Sequence, residues 1–113
     1  MAEFATLARP YARAAFEAAR EGGDDGLDRW SGMLAWLAAA TETEALAQEL
    51  ASPARSPEGK AKLLTDVAGD ALDDKGRNLV RVLAANGRLA LLPEIAAQYE
   101  ALKRSEEHTS ELQ

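Results

Sequence analysis

Nearly all the apolar content of this chain is alanine and leucine: 25 Ala and 16 Leu stand against only 4 Ile and Val together. Alanine and leucine are among the strongest helix formers, and the β-branched residues that favour strands are almost missing. The composition therefore predicts an all-α fold. At 113 residues the chain has the size of one compact unit and can bury roughly two thirds of its unfolded surface. The longest unbroken apolar run, Met33 to Ala40, is eight residues, where a bilayer span needs about twenty. No direct membrane insertion is expected. The N-terminus has an early acid, Glu3, and no apolar stretch of signal-peptide type, so no export is expected.

Caps and breakers mark six helical segments, and a six-helix bundle is the predicted architecture. The first runs from about Leu7 to Glu21, with Thr6 as candidate N-cap, Pro10 in the first turn, and Gly22-Gly23 as the stop. The second runs from about Gly26 to Thr41 behind Asp24-Asp25, with Leu27, Trp30, Leu34 and Leu37 on a core-facing seam. A short third helix, Glu44 to Ala51, ends before Pro53 and is anchored by Leu46 and Leu50. The fourth opens at Ser56-Pro57, a cap followed by proline at the first helical position, and is expected to bury Leu63, Leu64 and Val67 before Gly69. The fifth, from about Asp74 to Asn86, is capped by Asp73 and closed by Gly87, with Leu79 and Leu83 as its core pair. The sixth, from Leu89 or Pro93 to about Lys103, places Leu92, Ile95, Ala96, Tyr99 and Leu102 on one stripe.

Residues 104–113, Arg-Ser-Glu-Glu-His-Thr-Ser-Glu-Leu-Gln, lack that apolar spacing, with Leu112 their one large apolar residue. The string is also what one reading frame of a widely used short-read sequencing adapter encodes. Residues 1–103 are therefore expected to form the domain, and 104–113 a tail, non-native or disordered, that takes the single histidine, His108, with it.

Two helices carry more apolar surface than one core-facing stripe requires. At 100° per residue the apolar positions of the first helix, from Leu7 through Tyr11, Ala14, Ala15, Phe16 and Ala18 to Ala19, cover roughly 200°. Small alanines between the bulky residues let another helix approach closely. On the fifth helix Asn78, Val82, Ala85 and Asn86 form a second stripe, part amide and part apolar, of the kind found at interface rims. Side by side, the two stripes make an apolar groove open to an amphipathic partner helix. Taken alone, the first stripe is explained by a helix deep in the bundle that touches core on both sides, and the second by an ordinary boundary face.

Chemistry for catalysis is sparse. There is no Cys, which removes thiolate nucleophiles, thiolate metal sites and disulfides. Asp24-Asp25-Gly26-Leu27-Asp28 lacks the alternating ligands and closing Glu of a calcium loop, so cap and loop acids explain it. Neither Gly22-Gly23 nor Gly87 is followed by the Lys-Ser/Thr of a phosphate loop. No metal, nucleotide or other cofactor is expected. Thirteen basic against nineteen acidic residues, a net charge of −6, repel phosphate backbones, so nucleic acid is not the expected partner despite Arg77, Arg81 and Arg88 on the fifth helix and after it.

The opening Glu-Phe-Ala-Thr-Leu-Ala-Arg-Pro-Tyr-Ala-Arg-Ala-Ala-Phe-Glu (residues 3–17), the Asp28-Arg29-Trp30 with Met33-Leu34, and the block from Asn78 to Leu89 resemble the delta subunit of bacterial F-type ATP synthase. Its mitochondrial counterpart is the oligomycin-sensitivity-conferring protein. The resemblance covers residues 1–103 and implies a non-catalytic stator subunit at the top of the peripheral stalk, on the cytoplasmic face of the bacterial plasma membrane. It implies that the N-terminal helix of an alpha subunit lies between the first and fifth helices, with Tyr11, Ala14, Ala15 and Ala18 on one wall and Asn78, Val82 and Asn86 on the other. Trp30 matches a tryptophan of the family pattern placed to report binding, although Gly22 to Leu27 carries extra residues relative to that pattern. Family members continue into a second domain that engages the b subunits of the stalk, and that domain is expected to be absent here. The alternative is a small helical adaptor for some other amphipathic helix.

Overall fold

The computed structural model describes residues 2–23 and 25–112, with side-chain surroundings for 4–23 and 25–106. Six α-helices follow in order: α1 Ala2–Glu21, α2 Gly26–Glu42, α3 Glu44–Ala51, α4 Pro57–Ala68, α5 Asp74–Ala85 and α6 Leu92–Leu112. Single 3-10 turns at Gly69–Ala71 and Leu89–Leu91 lead into α5 and α6, and no strand occurs among the described residues. The all-α six-helix bundle is borne out.

Where the sequence carries local chemistry for starting or stopping a helix, the elements follow it. Ser56 Oγ accepts from the Gly59 N–H at 3.0 Å with Pro57 at the first helical position, and Asp73 Oδ1 accepts from the Gly76 N–H at 2.8 Å. At the end of α5 the Gly87 N–H donates to Ala84 O and the Arg88 N–H to Leu83 O, at 3.0 and 2.7 Å. This paired closure needs a left-handed residue after the cap, and Gly87 supplies it at φ 68°.

Three helix ends differ from the sequence expectation. α1 begins at Ala2, so Thr6 lies inside the helix and Pro10 interrupts its ladder well past the first turn. A long-range contact holds the added turn, because Gln98 Nε2 donates to Ala5 O at 2.8 Å from α6. At α2 the cap position falls to Asp25, yet its carboxylate makes no capping bond and meets Arg29 Nη1 at 3.2 Å instead. Asp24, the other expected cap, lies outside the described residues. α6 runs on to Leu112 rather than ending near Lys103, since no glycine or proline follows Pro93 to stop it. Arg20 of α1 approaches Glu106 of that extension at 3.9 Å.

α6 lies along both α1 and α2, and these three helices build the main layer. Leu92, Ile95 and Tyr99 of α6 are fully buried there. The Tyr99 hydroxyl donates to Leu27 O at 2.6 Å, and its ring meets Phe16 edge-on at 6.1 Å, so the polar tip is satisfied while the ring fills the core. α4 and α5 pair with each other and close against α2, where the Asp73 N–H points at Met33 Sδ, 3.4 Å away. Gly26 starts α2 directly against the backbone carbonyl of Ala19, a spacing with no room for a Cβ.

Two core expectations are corrected. α4 packs chiefly on α5, so its buried stripe is narrow: Ala61, Leu64 and Ala68 are inside, Leu63 is half-buried and Val67 is 52% exposed. On α5 the fully buried residues are Val80, Leu83 and Ala84, while Leu79 packs against the core from a half-buried position at its edge.

Candidate functional site

Leu79, half-buried against the edge of the core, helps to line a cleft between α1 and α5. Pro10, Tyr11, Ala14, Ala15 and Ala18 form the α1 wall, and Lys75, Asn78, Leu79 and Val82 the α5 wall. Trp30 of α2, 4% exposed, forms part of the lining between them. The cleft encloses about 480 Å³. Because Tyr11, near the start of the α1 wall, bonds Asn86, beyond the last residue of the α5 wall, the two walls run in opposite directions. Tyr11 fixes one end, its hydroxyl accepting a 2.9 Å bond from Asn86 Nδ2. Ala14 is exposed and Val82 is 49% exposed. A small residue and an uncovered β-branched one, facing each other above a buried indole, leave apolar surface in water that a second helix can cover.

The expected site residues are mostly brought together, with two differences. Tyr11, Ala14, Ala18, Asn78 and Val82 line the cleft, but Ala15 is 2% exposed and serves mainly as core beneath it. Asn86 is not part of the cleft lining. It is the C-cap of α5, bonds Tyr11, and lines a separate hollow of about 630 Å³ bounded by α3, the start of α4 and the end of α5. Sequence reading missed Pro10, Lys75 and Leu79. Lys75 was accessible to it, because Lys75, Asn78 and Val82 recur at three- and four-residue steps on one face.

Phe4 and Leu7, 50% and 38% exposed, extend the same α1 face beyond Tyr11. From Phe4 to Ala18 the face is about 21 Å long, four helical turns. The basic residues expected to matter only for a nucleic-acid partner have local roles: Arg77 pairs with Asp74 at 3.3 Å and donates to Gly69 O at 3.2 Å, and Arg81 donates to Asn78 Oδ1 at 3.0 Å. Among the described residues no group of three or more acids or histidines is placed to hold a metal, and no helix is long and apolar enough to cross a membrane.

A family model described as ATP synthase delta (OSCP) subunit matches residues 7–113. The chain belongs to that family. A relative named ATP synthase subunit delta from Edwardsiella ictaluri is 43% identical over 113 residues, covering 100% of this chain and 62% of the relative. Its namesake from Yersinia enterocolitica is 46% identical with the same coverage, and that from Pectobacterium atrosepticum is 49% identical over 109 residues, 96% of this chain and 60% of the relative. The chain thus spans about three fifths of the length of these delta-family relatives.

Proposed function

We propose that this delta-family chain acts as a non-catalytic stator part of an F-type ATP synthase, on the cytoplasmic face of the plasma membrane. Its task is to grip the N-terminal helix of an alpha subunit in the α1–α5 cleft, while residues 104–113 take no part. Contact with the b subunits belongs to the remainder of the longer relatives. One observation carries the reading: family membership coincides with a cleft whose walls leave Val82 and Ala14 uncovered over the buried Trp30. Such a cleft performs no bond chemistry. A clasped helix resists torque by spreading load over many packed contacts from which water is excluded.

The test is a titration of the chain with a synthetic N-terminal alpha-subunit helix, followed by calorimetry and by Trp30 fluorescence in a Trp36→Phe background, with a scrambled peptide as control. Saturable one-to-one binding is expected. Ala14→Asp places a carboxylate on the apolar wall, which an exposed position tolerates in the free domain but which must be desolvated on binding. It is expected to weaken affinity by about 30-fold or more, equivalent to about 2 kcal/mol, with the helical circular dichroism unchanged. Full-strength binding by a folded Ala14→Asp variant refutes the cleft assignment, and binding of the scrambled peptide at equal strength favours a generic adaptor.

A further inference from the structure

The charges around the cleft are sorted by wall. On α1 the face rises from the buried Ala15 through Ala18 to the exposed Ala14, and the next positions outward are Glu21 and Glu17, roughly 20° and 60° further round. Both acids are exposed, and among the described residues neither has an ion-pair partner. Arg9, Arg13 and Arg20 lie further round still, on the face turned from the cleft. On α5 the corresponding lip is basic. Lys75 lines the cleft directly, exposed and without an ion-pair partner among the described residues, and Arg81 stands behind Asn78 and holds its amide. Asp74, beside Lys75, is 98% exposed and pairs with Arg77 at 3.3 Å, and Asp73 pairs with Arg29 at 3.5 Å, so Lys75 and Arg81 leave this edge net positive. The two lips are also level with each other. Counting away from the Tyr11–Asn86 bond along antiparallel helices, ten residues bring Glu21 on α1 and eleven bring Lys75 on α5.

We infer that the cleft selects a helix carrying basic side chains along one edge of its apolar stripe and acidic side chains along the other, and that this lip polarity fixes which way the bound helix runs. The inference rests on the cleft being a helix-binding site. A helix turned end for end with its apolar stripe still facing down exchanges its two edges. With uncharged lips the two directions differ only in packing. With an acidic lip on α1 and a basic lip on α5, one direction makes complementary pairs on both sides and the other opposes like charges on both, which disfavours it at low salt. Phe4 and Leu7 add no charge at the Tyr11 end, so the discrimination is concentrated at the Glu21–Lys75 end.

The experiment uses the full chain and two designed helical peptides of about sixteen residues with the same apolar stripe. One has Lys along one edge and Glu along the other; its counterpart has Gln on both. Each carries a nitroxide at its N-terminus, and broadening of the chain's amide resonances reports where that end lies. The polarised peptide is expected to bind about 4- to 25-fold tighter at low salt, from two lip pairs at about two- to five-fold each, with the gap closing at high salt. Its label is expected to broaden amides at one end of the cleft only. In the triple variant Glu17→Lys, Glu21→Lys, Lys75→Glu, all at exposed positions, the broadening is expected to move to the opposite end with affinity retained. Equal affinity of both peptides with broadening at both ends overturns the polarity and leaves the cleft standing as a helix site. Failure of both peptides to bind removes the cleft reading, and this inference with it.

Discussion

At the scale of single residues, two buried glycines near helix starts, Gly26 and Gly76, differ in cost. A Cβ on Gly26 meets the backbone carbonyl of Ala19, whereas a Cβ on Gly76 meets the sulfur of Met33, the flexible part of an adaptable side chain. Backbone cannot retreat without moving α1 against α2. Gly26→Ala is therefore expected to lose about 2–3 kcal/mol in chemical denaturation, and Gly76→Ala less than about 1 kcal/mol, offset by its gain in helix propensity. Equal losses for the two would contradict the close approach of α2 to Ala19. The same scale shows why part of the site was hidden in the sequence. Leu79 and Val80 are neighbours, each three or four residues from another apolar position, and spacing alone does not say which faces α2 and which faces the cleft. Tertiary packing, chiefly of α4 on α5, makes that choice, burying Val80 and leaving Leu79 half-buried on the wall. Asn86 sits on the same face in a helical projection but ends the helix, and that end position takes it out of the wall and into a bond with Tyr11.

At the scale of elements, legibility followed locality. The starts of α4 and α5 and the end of α5 were readable because Ser56, Asp73 and Gly87 satisfy backbone groups within a few residues. The start of α1 was not, because the bond that holds it comes from Gln98, 93 residues away. Asp25 occupies a cap position without capping, its carboxylate drawn to Arg29. This contrast is measurable. Ser56→Ala is expected to lower stability by about 1 kcal/mol, seen as a lower denaturation midpoint at an unchanged slope. Asp25→Ala is expected to change it by less than about 0.5 kcal/mol, since it removes an exposed ion pair alone. A larger loss at Asp25 than at Ser56 would show that the cap assignments are reversed.

At the scale of the whole molecule, the layer of α1, α2 and α6 and the α4–α5 pair form one bundle, while residues 104–106 at the start of the tail are exposed. The tie from the tail to the bundle between Arg20 and Glu106 joins two largely exposed groups at 3.9 Å, a pairing of little energetic weight. Trimming the chain to residues 1–103 is expected to shift the thermal midpoint by less than about 3 °C, checked by circular dichroism melting; a larger fall would make the tail part of the folding unit. The cleft lies on the other side of this architecture, with one wall in each part. α1 and α5 hardly touch along their length among the described residues, and what joins them is the lining Trp30 together with the hydrogen bond between Tyr11 and Asn86 at one end. A helix seated there is therefore a keystone. Under the proposed function it completes a layer the free bundle leaves open, so the stiffness needed to withstand a pull on that helix is present only once the helix is in place.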